Sequence, residues 1–239
     1  METIRLAEVA AVLADPSRAT MCLALIDGRA WTIGELARSA VIAPSTASEH
    51  LHRLLDAGFV TTIRQGRHTY VRLADRRVAE LIERLAEHAE LTPPRTLRGS
   101  VRARKLAYAR TCYDHLAGRL GVALRDGMLR TGLLDRRDGL ALTKAGRGTF
   151  AEIGVVLPTA HRRPMLQDCL DWTERREHLS GTVPAAFLAH AIDEGWLERD
   201  RDRAVRLHDG AAEPLALLGV QLDGDKADQP YSLAAYAAP

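Results

Sequence analysis

Apolar residues recur at helical spacing from the start of the chain. Ile4, Leu6, Val9, Val12 and Leu13 predict a first helix that ends before Asp15-Pro16, and Met21, Leu23, Leu25 and Ile26 a second, closed by Asp27-Gly28. Thr32, Ile33, Leu36 and Ala37 make a short third helix. After Val41-Ile42-Ala43, Pro44 suits the first turn of a fourth, which runs through Leu51, Leu54 and Leu55 and stops at Gly58. Two short helices in this order read as a helix-turn-helix. The period then changes from helical to alternating: Phe59-Val60-Thr61-Thr62-Ile63 and Thr69-Tyr70-Val71-Arg72-Leu73 flank the turn Arg64-Gln65-Gly66-Arg67-His68, which predicts a β-hairpin, or wing. Val78, Leu81, Ile82 and Leu85 give a fifth helix with one apolar stripe, ended by Thr92-Pro93-Pro94-Arg95 because neither proline can extend it.

The second part of the chain repeats itself. His115-Leu116-Ala117-Gly118, Gly132-Leu133-Leu134-Asp135-Arg136 and Ile153-Gly154-Val155 are echoed by His178-Leu179-Ser180-Gly181, Gly195-Trp196-Leu197-Glu198-Arg199 and Leu218-Gly219-Val220. Each copy reads as a helix, a hairpin (Leu140–Thr143; Ala204–Leu207) and a closing helix. The expected fold is therefore mainly α with small β-hairpins (α+β): an N-terminal winged helix-turn-helix and a C-terminal pair of related winged-helix-like modules. The expected boundaries are 1–91 for DNA binding and dimerisation, 92–98 for a linker, 99–222 for a sensor domain of two repeats (about 99–160 and 161–222), and 223–239 for a flexible tail.

Composition narrows the class without naming a function. The 239 residues are 46% hydrophobic, ordinary for packed globular units, and contain no apolar run long enough for a membrane span and no secretory layout at Met1-Glu2-Thr3-Ile4-Arg5, so a cytoplasmic protein is expected. Three cysteines, Cys22, Cys112 and Cys169, are too few and scattered for a disulfide framework. A net charge of +2 makes any affinity for nucleic acid a matter of local arginine clustering.

Such clustering follows the predicted turn of the helix-turn-helix. With Leu51, Leu54 and Leu55 facing the core, the fourth helix leaves Ser45, Thr46, Ser48, Glu49, His52 and Arg53 on its exposed side and first turns. Hydroxyls and guanidinium groups there can meet phosphates or base edges, and Glu49 could accept from cytosine. Arg64, Arg67, His68 and Arg72 concentrate charge on the wing, whose glycine-containing tip suits a phosphate or minor-groove clamp.

Leu13-Ala14-Asp15-Pro16-Ser17-Arg18, then Glu35-Leu36-Ala37, then Ser45-Thr46-Ala47-Ser48-Glu49-His50-Leu51-His52-Arg53-Leu54-Leu55-Asp56-Ala57-Gly58-Phe59-Val60, with the wing, resemble the ArsR/SmtB family of bacterial repressors over about the first 90 residues. The resemblance implies a homodimer, joined through the first and fifth helices, that reads a double-stranded DNA operator with two recognition helices. Many members of that family sense metal through paired cysteines on the third helix; Thr32 and Gly34 stand at those places and supply no soft ligand. A second family site, along the fifth helix, is matched only by His88 with Glu87 and Glu90.

The sensor is expected further on. Cys112-Tyr113-Asp114-His115 and Cys169-Leu170-Asp171 with His178 repeat the order Cys, Asp, His, and convergence of the two fronts would bring Cys112, His115, Cys169 and His178 together as tetrahedral zinc ligands. Two other readings stand beside it: a thiol redox switch between the cysteines, and a structural role in which Asp114 and Asp171 cap helices while the cysteines pack. Trp172, Glu174, Arg175, Arg176 and Trp196 form a third candidate, a pocket for an organic effector. The expected function is an operator-binding repressor released by a metal, redox or small-molecule effector, with no membrane partner. The alternatives are an enzyme docked by a winged helix and a non-specific architectural DNA-binding protein. No phosphate loop, nucleophile elbow or paired-carboxylate signature favours the enzyme.

Overall fold

The computed structural model describes residues 6–66, 68–89, 97–159, 163–200 and 203–221. The chain divides into two compact units, Met1–His88 and Ala89–Pro239.

The first unit is a winged helix-turn-helix. Its elements are α1 (Leu6–Leu13), α2 (Pro16–Leu25), β1 (Trp31–Thr32), α3 (Ile33–Ala40), α4 (Pro44–Asp56), β2 (Val60–Gln65), β3 (His68–Leu73) and α5 (Arg76–Glu87). Local chemistry sets the helix starts. The Asp15 carboxylate accepts the Arg18 N–H at 2.9 Å ahead of Pro16, and Thr32 and Glu35 form a reciprocal capping box at α3. Between α3 and α4 the chain turns through Val41, held at φ 57° and exposed.

Met21, Leu25, Leu36, Leu54 and Val71 close the core beneath α4. The wing pairs Val60 with Leu73 through to Gln65 with His68, so the strands run further and the turn is tighter than the five residues predicted. Gly66, at φ +59°, supplies the left-handed backbone such a turn needs. Strand β1, which the sequence pattern did not reveal, adds to β3 and completes the order β1-β3-β2.

The second unit comprises α6 (Leu97–Tyr108), β4 (Arg110–Cys112), β5 (His115–Ala117), α7 (Arg119–Arg130), β6 (Leu134–Asp135), β7 (Ala141–Leu142), α8 (Lys144–Glu152), β8 (Gln167–Leu170), β9 (Glu177–Ser180), α9 (Thr182–Asp193), β10 (Leu197–Arg199), β11 (Val205–Leu207), a 3-10 turn and α10 (Ala212–Leu217). From β4 onward the order hairpin, helix, hairpin, helix occurs twice. The expected helix of each copy is present as α7 and α9, but it starts after the front of the copy, because His115-Leu116-Ala117 and His178-Leu179-Ser180 are strands. Leu97 and Arg98, expected in the linker, open α6. Residues 91–96 and the expected tail 223–239 lie outside the described residues.

The two halves pack crosswise: α7 lies against β9 and α9 against β5. Arg110 bridges to Ala204, and the Thr111 N–H donates to the Arg203 carbonyl at 2.9 Å. A Cβ on Gly127 would come within 2.4 Å of the Gly219 carbonyl oxygen, so the close approach of α7 to the segment after α10 requires glycine there. Leu120, Leu124, Met128, Phe150, Phe187, Leu188 and Leu215 fill the shared core.

Candidate functional site

Two surfaces collect the chemistry, one in each unit. In the first, α4 turns Ala47, Leu51 and Leu54 inward. His50, within 3.4 Å of an Arg18 guanidinium nitrogen and 3.7 Å of the Asp15 carboxylate, ties α4 to α2. The opposite side presents Ser45, Glu49, His52 and Arg53 exposed, with Thr46 and Ser48 half-buried and the Ser48 hydroxyl donating to the Pro44 carbonyl at 2.9 Å. No side chain caps the start of α4, and its first turn carries no acidic residue. On the wing Arg64, His68 and Arg72 are exposed, Tyr70 is half-buried beside His68, and Arg67 lies outside the described residues.

In the second unit the hairpins β4-β5 and β8-β9 each set a cysteine opposite a histidine: Cys112 faces His115, and Cys169 faces His178. Packing β5 on β9 brings the two pairs together. The Sγ atoms of Cys112 and Cys169 lie 4.0 Å apart, the Nε2 atoms of His115 and His178 lie 3.1 Å apart, and all four ligand atoms fall within 4.8 Å of one another. A tetrahedron with metal–sulfur bonds of about 2.3 Å and metal–nitrogen bonds of about 2.0–2.1 Å has a sulfur–sulfur edge of about 3.8 Å and a nitrogen–nitrogen edge of about 3.4 Å. The sulfur pair and the nitrogen pair therefore each stand within a few tenths of an ångström of the edge that such an ion requires. His178 and Cys112 are buried, and Cys169 is the most exposed of the four.

Around the quartet lies a shell of charge. His115 Nδ1 is 3.3 Å from Asp114, and His178 Nδ1 is 3.2 Å from Asp171. Arg163 grips Asp114 through both terminal nitrogens and also donates to the Gly181 carbonyl at 2.8 Å. Asp171 accepts the Gly118 N–H at 2.6 Å, the Thr173 hydroxyl at 2.6 Å and the Thr173 N–H at 3.0 Å, and it pairs with Arg110 at 2.9 Å with both side chains fully buried. Arg110 in turn lies over the Trp172 ring at 4.6 Å.

Burial alone would raise the Asp114 carboxyl, but His115 and Arg163 outweigh it and hold its pKa at about 2. Burial likewise opposes the charge on His178, yet its contacts with Asp171 and Cys112 prevail and its pKa stands at about 9. Asp171 is not the helix cap expected from its spacing to Glu174. It accepts the Thr173 and Glu174 N–H groups inside the loop between β8 and β9.

The remaining candidates have their own surroundings. Trp172 belongs with Arg110, Glu174 is half-buried, Arg175 is exposed at φ 51°, Arg176 pairs with Asp126, and Trp196 stands edge-on to His190. Thr32 caps α3, and His88 is exposed at the end of α5; the Glu87 side chain and Glu90 lie outside the described residues. Sequence reasoning missed Arg163, which no motif marks; it took Arg110 as a neighbour that would favour a cysteine thiolate, where the structure pairs it with Asp171, and it read Asp114 and Asp171 only as caps. The Cys-x-Asp order shared by both copies was the available signal for the two carboxylates.

Residues 13–63 match the helix-turn-helix domain family. Over 206 residues, 84% of this chain and 91% of the relative, the sequence is 38% identical to the uncharacterized HTH-type transcriptional regulator YdfF of Bacillus subtilis (strain 168). It is 33% identical over 87 residues to the HTH-type transcriptional regulator CmtR of Mycobacterium bovis, covering 36% of this chain and 73% of that protein. Among solved structures, the transcriptional repressor BigR from Xylella fastidiosa aligns with a TM-score of 0.34 and 25% identity, over 36% of this chain and 88% of that one. The match to YdfF is longer than the first unit and so extends into the second.

Proposed function

The chain belongs to the HTH-type transcriptional regulators, with a winged helix-turn-helix of ArsR/SmtB type, and from that premise we propose that it is a homodimeric, operator-binding repressor released by a metal ion held in its second unit, zinc being the ion that the donor set fits best. The observation that carries this reading is the convergence of Cys112, His115, Cys169 and His178. Two thiolates and two imidazoles suit an ion that is tetrahedral and borderline-soft, and four protein ligands leave no open position for catalysis. The 4.0 Å sulfur pair alone would serve a thiol switch equally well, but a disulfide has no use for two facing imidazole nitrogens.

DNA contact is assigned to Ser45, Thr46, Ser48, Glu49, His52 and Arg53 of α4 and to Arg64, Arg67, His68 and Arg72 of the wing. Support comes from the exposure of Ser45, Glu49, His52, Arg53, Arg64, His68 and Arg72 and from the uncapped start of α4, whose N–H groups favour phosphate. A second copy is assigned to the apolar surface of α1 and α5, where Leu6, Val9, Leu81 and Leu85 are exposed and α1 buries none of its residues within the chain.

The test is a titration of zinc-loaded and chelator-stripped protein with labelled DNA from upstream of its own gene and with random DNA, at several salt concentrations. The proposal expects sequence-selective, salt-dependent binding that is at least about fivefold weaker in the zinc-loaded form. Equal affinity for both DNAs would leave an architectural protein. Selective binding indifferent to zinc would remove the ion from the regulatory role.

A further inference from the structure

The four candidate ligands do not hold themselves in place. Each histidine turns its Nε2 toward the other at 3.1 Å and its Nδ1 toward a carboxylate, Asp114 at 3.3 Å and Asp171 at 3.2 Å. The two aspartates occupy the same place in the two copies, two residues after each cysteine. Both are anchored from behind by arginine, Asp114 by Arg163 and Asp171 by Arg110. An imidazole that donates Nδ1–H to a carboxylate carries its lone pair on Nε2. Two ring nitrogens facing each other at 3.1 Å are bridged either by a proton or by an ion that both lone pairs share with the two sulfurs.

We propose that Asp114 and Asp171 are positioning residues for the metal centre, each fixing the tautomer and ring direction of one histidine so that both Nε2 atoms are presented to the ion. This rests on the metal reading above and extends it to groups that touch no metal. Carboxylate partners of this kind orient a ligating histidine and raise its basicity, and removing one typically costs about 10–100-fold in affinity.

The halves are not equivalent. Asp171 is fully buried and also receives Gly118 N–H, Thr173 N–H and the Thr173 hydroxyl, whereas Asp114 is half-exposed with Arg163 as its second partner. Asp171 is the more firmly fixed carboxylate, but its 3.2 Å approach to His178 Nδ1 is an ion-pair contact, and the hydrogen bond to a ring nitrogen is the one between Asp114 and His115.

Full-length protein with Asp114→Asn, Asp114→Glu or Asp171→Asn would be titrated with zinc against a competing chelator, and its histidine Nδ1–H resonances recorded in the zinc-loaded state. Two downfield, slowly exchanging Nδ1–H signals are expected in the wild type. Asp114→Asn should displace the His115 signal alone and weaken zinc about 10–100-fold. It should still bind one ion per chain at saturation and keep the tetrahedral cobalt spectrum of a two-sulfur, two-nitrogen site. Asp114→Glu should recover part of the loss. If Asp171→Asn does not fold, Asp114→Asn still decides the matter.

Wild-type affinity in Asp114→Asn, or a loss of affinity with the His115 Nδ1–H signal unmoved, would overturn the positioning role while leaving the metal centre standing. A wild type that binds no zinc would instead remove the metal reading itself.

Discussion

The two units use polar side chains in opposite ways. Among the described residues of Met1–His88 the core is apolar apart from Arg18, Asp27 and Glu83, while Ser45, His52 and Arg53 of α4 and Arg64, His68 and Arg72 of the wing are exposed. In Ala89–Pro239 a polar network lies inside: Arg110, His115, Arg125, Asp171, Thr173 and His178 are all buried. An outward ridge can meet only a partner with a surface of its own, and a nucleic-acid groove is one. Buried charge is costly unless it is paired or coordinates an ion, and the second unit pairs Arg110 with Asp171 around four side chains that could hold one. The contrast teaches that the two units are suited to different partners: exposed side chains on α4 and the wing suit a surface, and a buried Cys/His cluster suits something small enough to be enclosed.

The comparison breaks most visibly at the cysteines. Replacing Cys112 and Cys169 together with serine should abolish stoichiometric zinc and speed hydrogen exchange in β4, β5, β8 and β9. Exchange in α2, α3 and α4 should be unchanged, and mass spectrometry of peptides from both units reads this directly. A smaller but still large effect is expected on assembly: Leu85→Glu on α5 puts a charge on a side chain that is 49% exposed in the single chain, and sedimentation should show monomers with operator binding reduced by more than tenfold. Next come the outward arginines. Arg53→Ala and Arg64→Ala should each weaken binding to all sequences together and lower the slope of log K against log salt by about 1.

The smallest expected effect sharpens the account of the first unit's stability. Asp15→Ala removes the cap of α2 and should cost about 1 kcal/mol in chemical denaturation. The backbone hydrogen bond from Arg18 holds the Asp15 carboxyl below its ordinary value of 3.8. A carboxylate with a depressed folded pKa stabilises above the unfolded value, so this contribution should be present above pH 3.8 and fade as pH falls below it. The variant should lose that part of the acid dependence.

Legibility followed the range of the forces. The helices of the first unit were readable because their apolar spacing, caps and breakers are local: Asp15-Pro16 does start α2, and Pro44 does start α4. Strand β1 escaped because two residues, Trp31 and Thr32, owe their conformation to pairing with Val71 and Tyr70 far along the chain. The hairpins of the second unit were misread as helix starts for the same reason, since His115-Leu116-Ala117 is too short to show a period and becomes a strand only against Arg110-Thr111-Cys112. The ligand quartet was nevertheless visible, because the repeat aligned Cys112 with Cys169 and His115 with His178 even though their surroundings were assigned wrongly. Arg163 could not be found that way: it reaches Asp114 from 49 residues away, with no counterpart in the repeat to announce it.

Everything distinctive in the second unit turns on whether its four donors hold an ion. The direct measurement is elemental analysis with a parallel thiol count on wild-type protein purified without added metal, and on Cys169→Ser. The account predicts one zinc per chain in the wild type, Cys112 and Cys169 shielded until a chelator is added while Cys22 stays buried throughout, and no zinc in the variant. Metal-free wild-type protein that takes up no zinc when it is supplied, with Cys169 reacting freely, would contradict it.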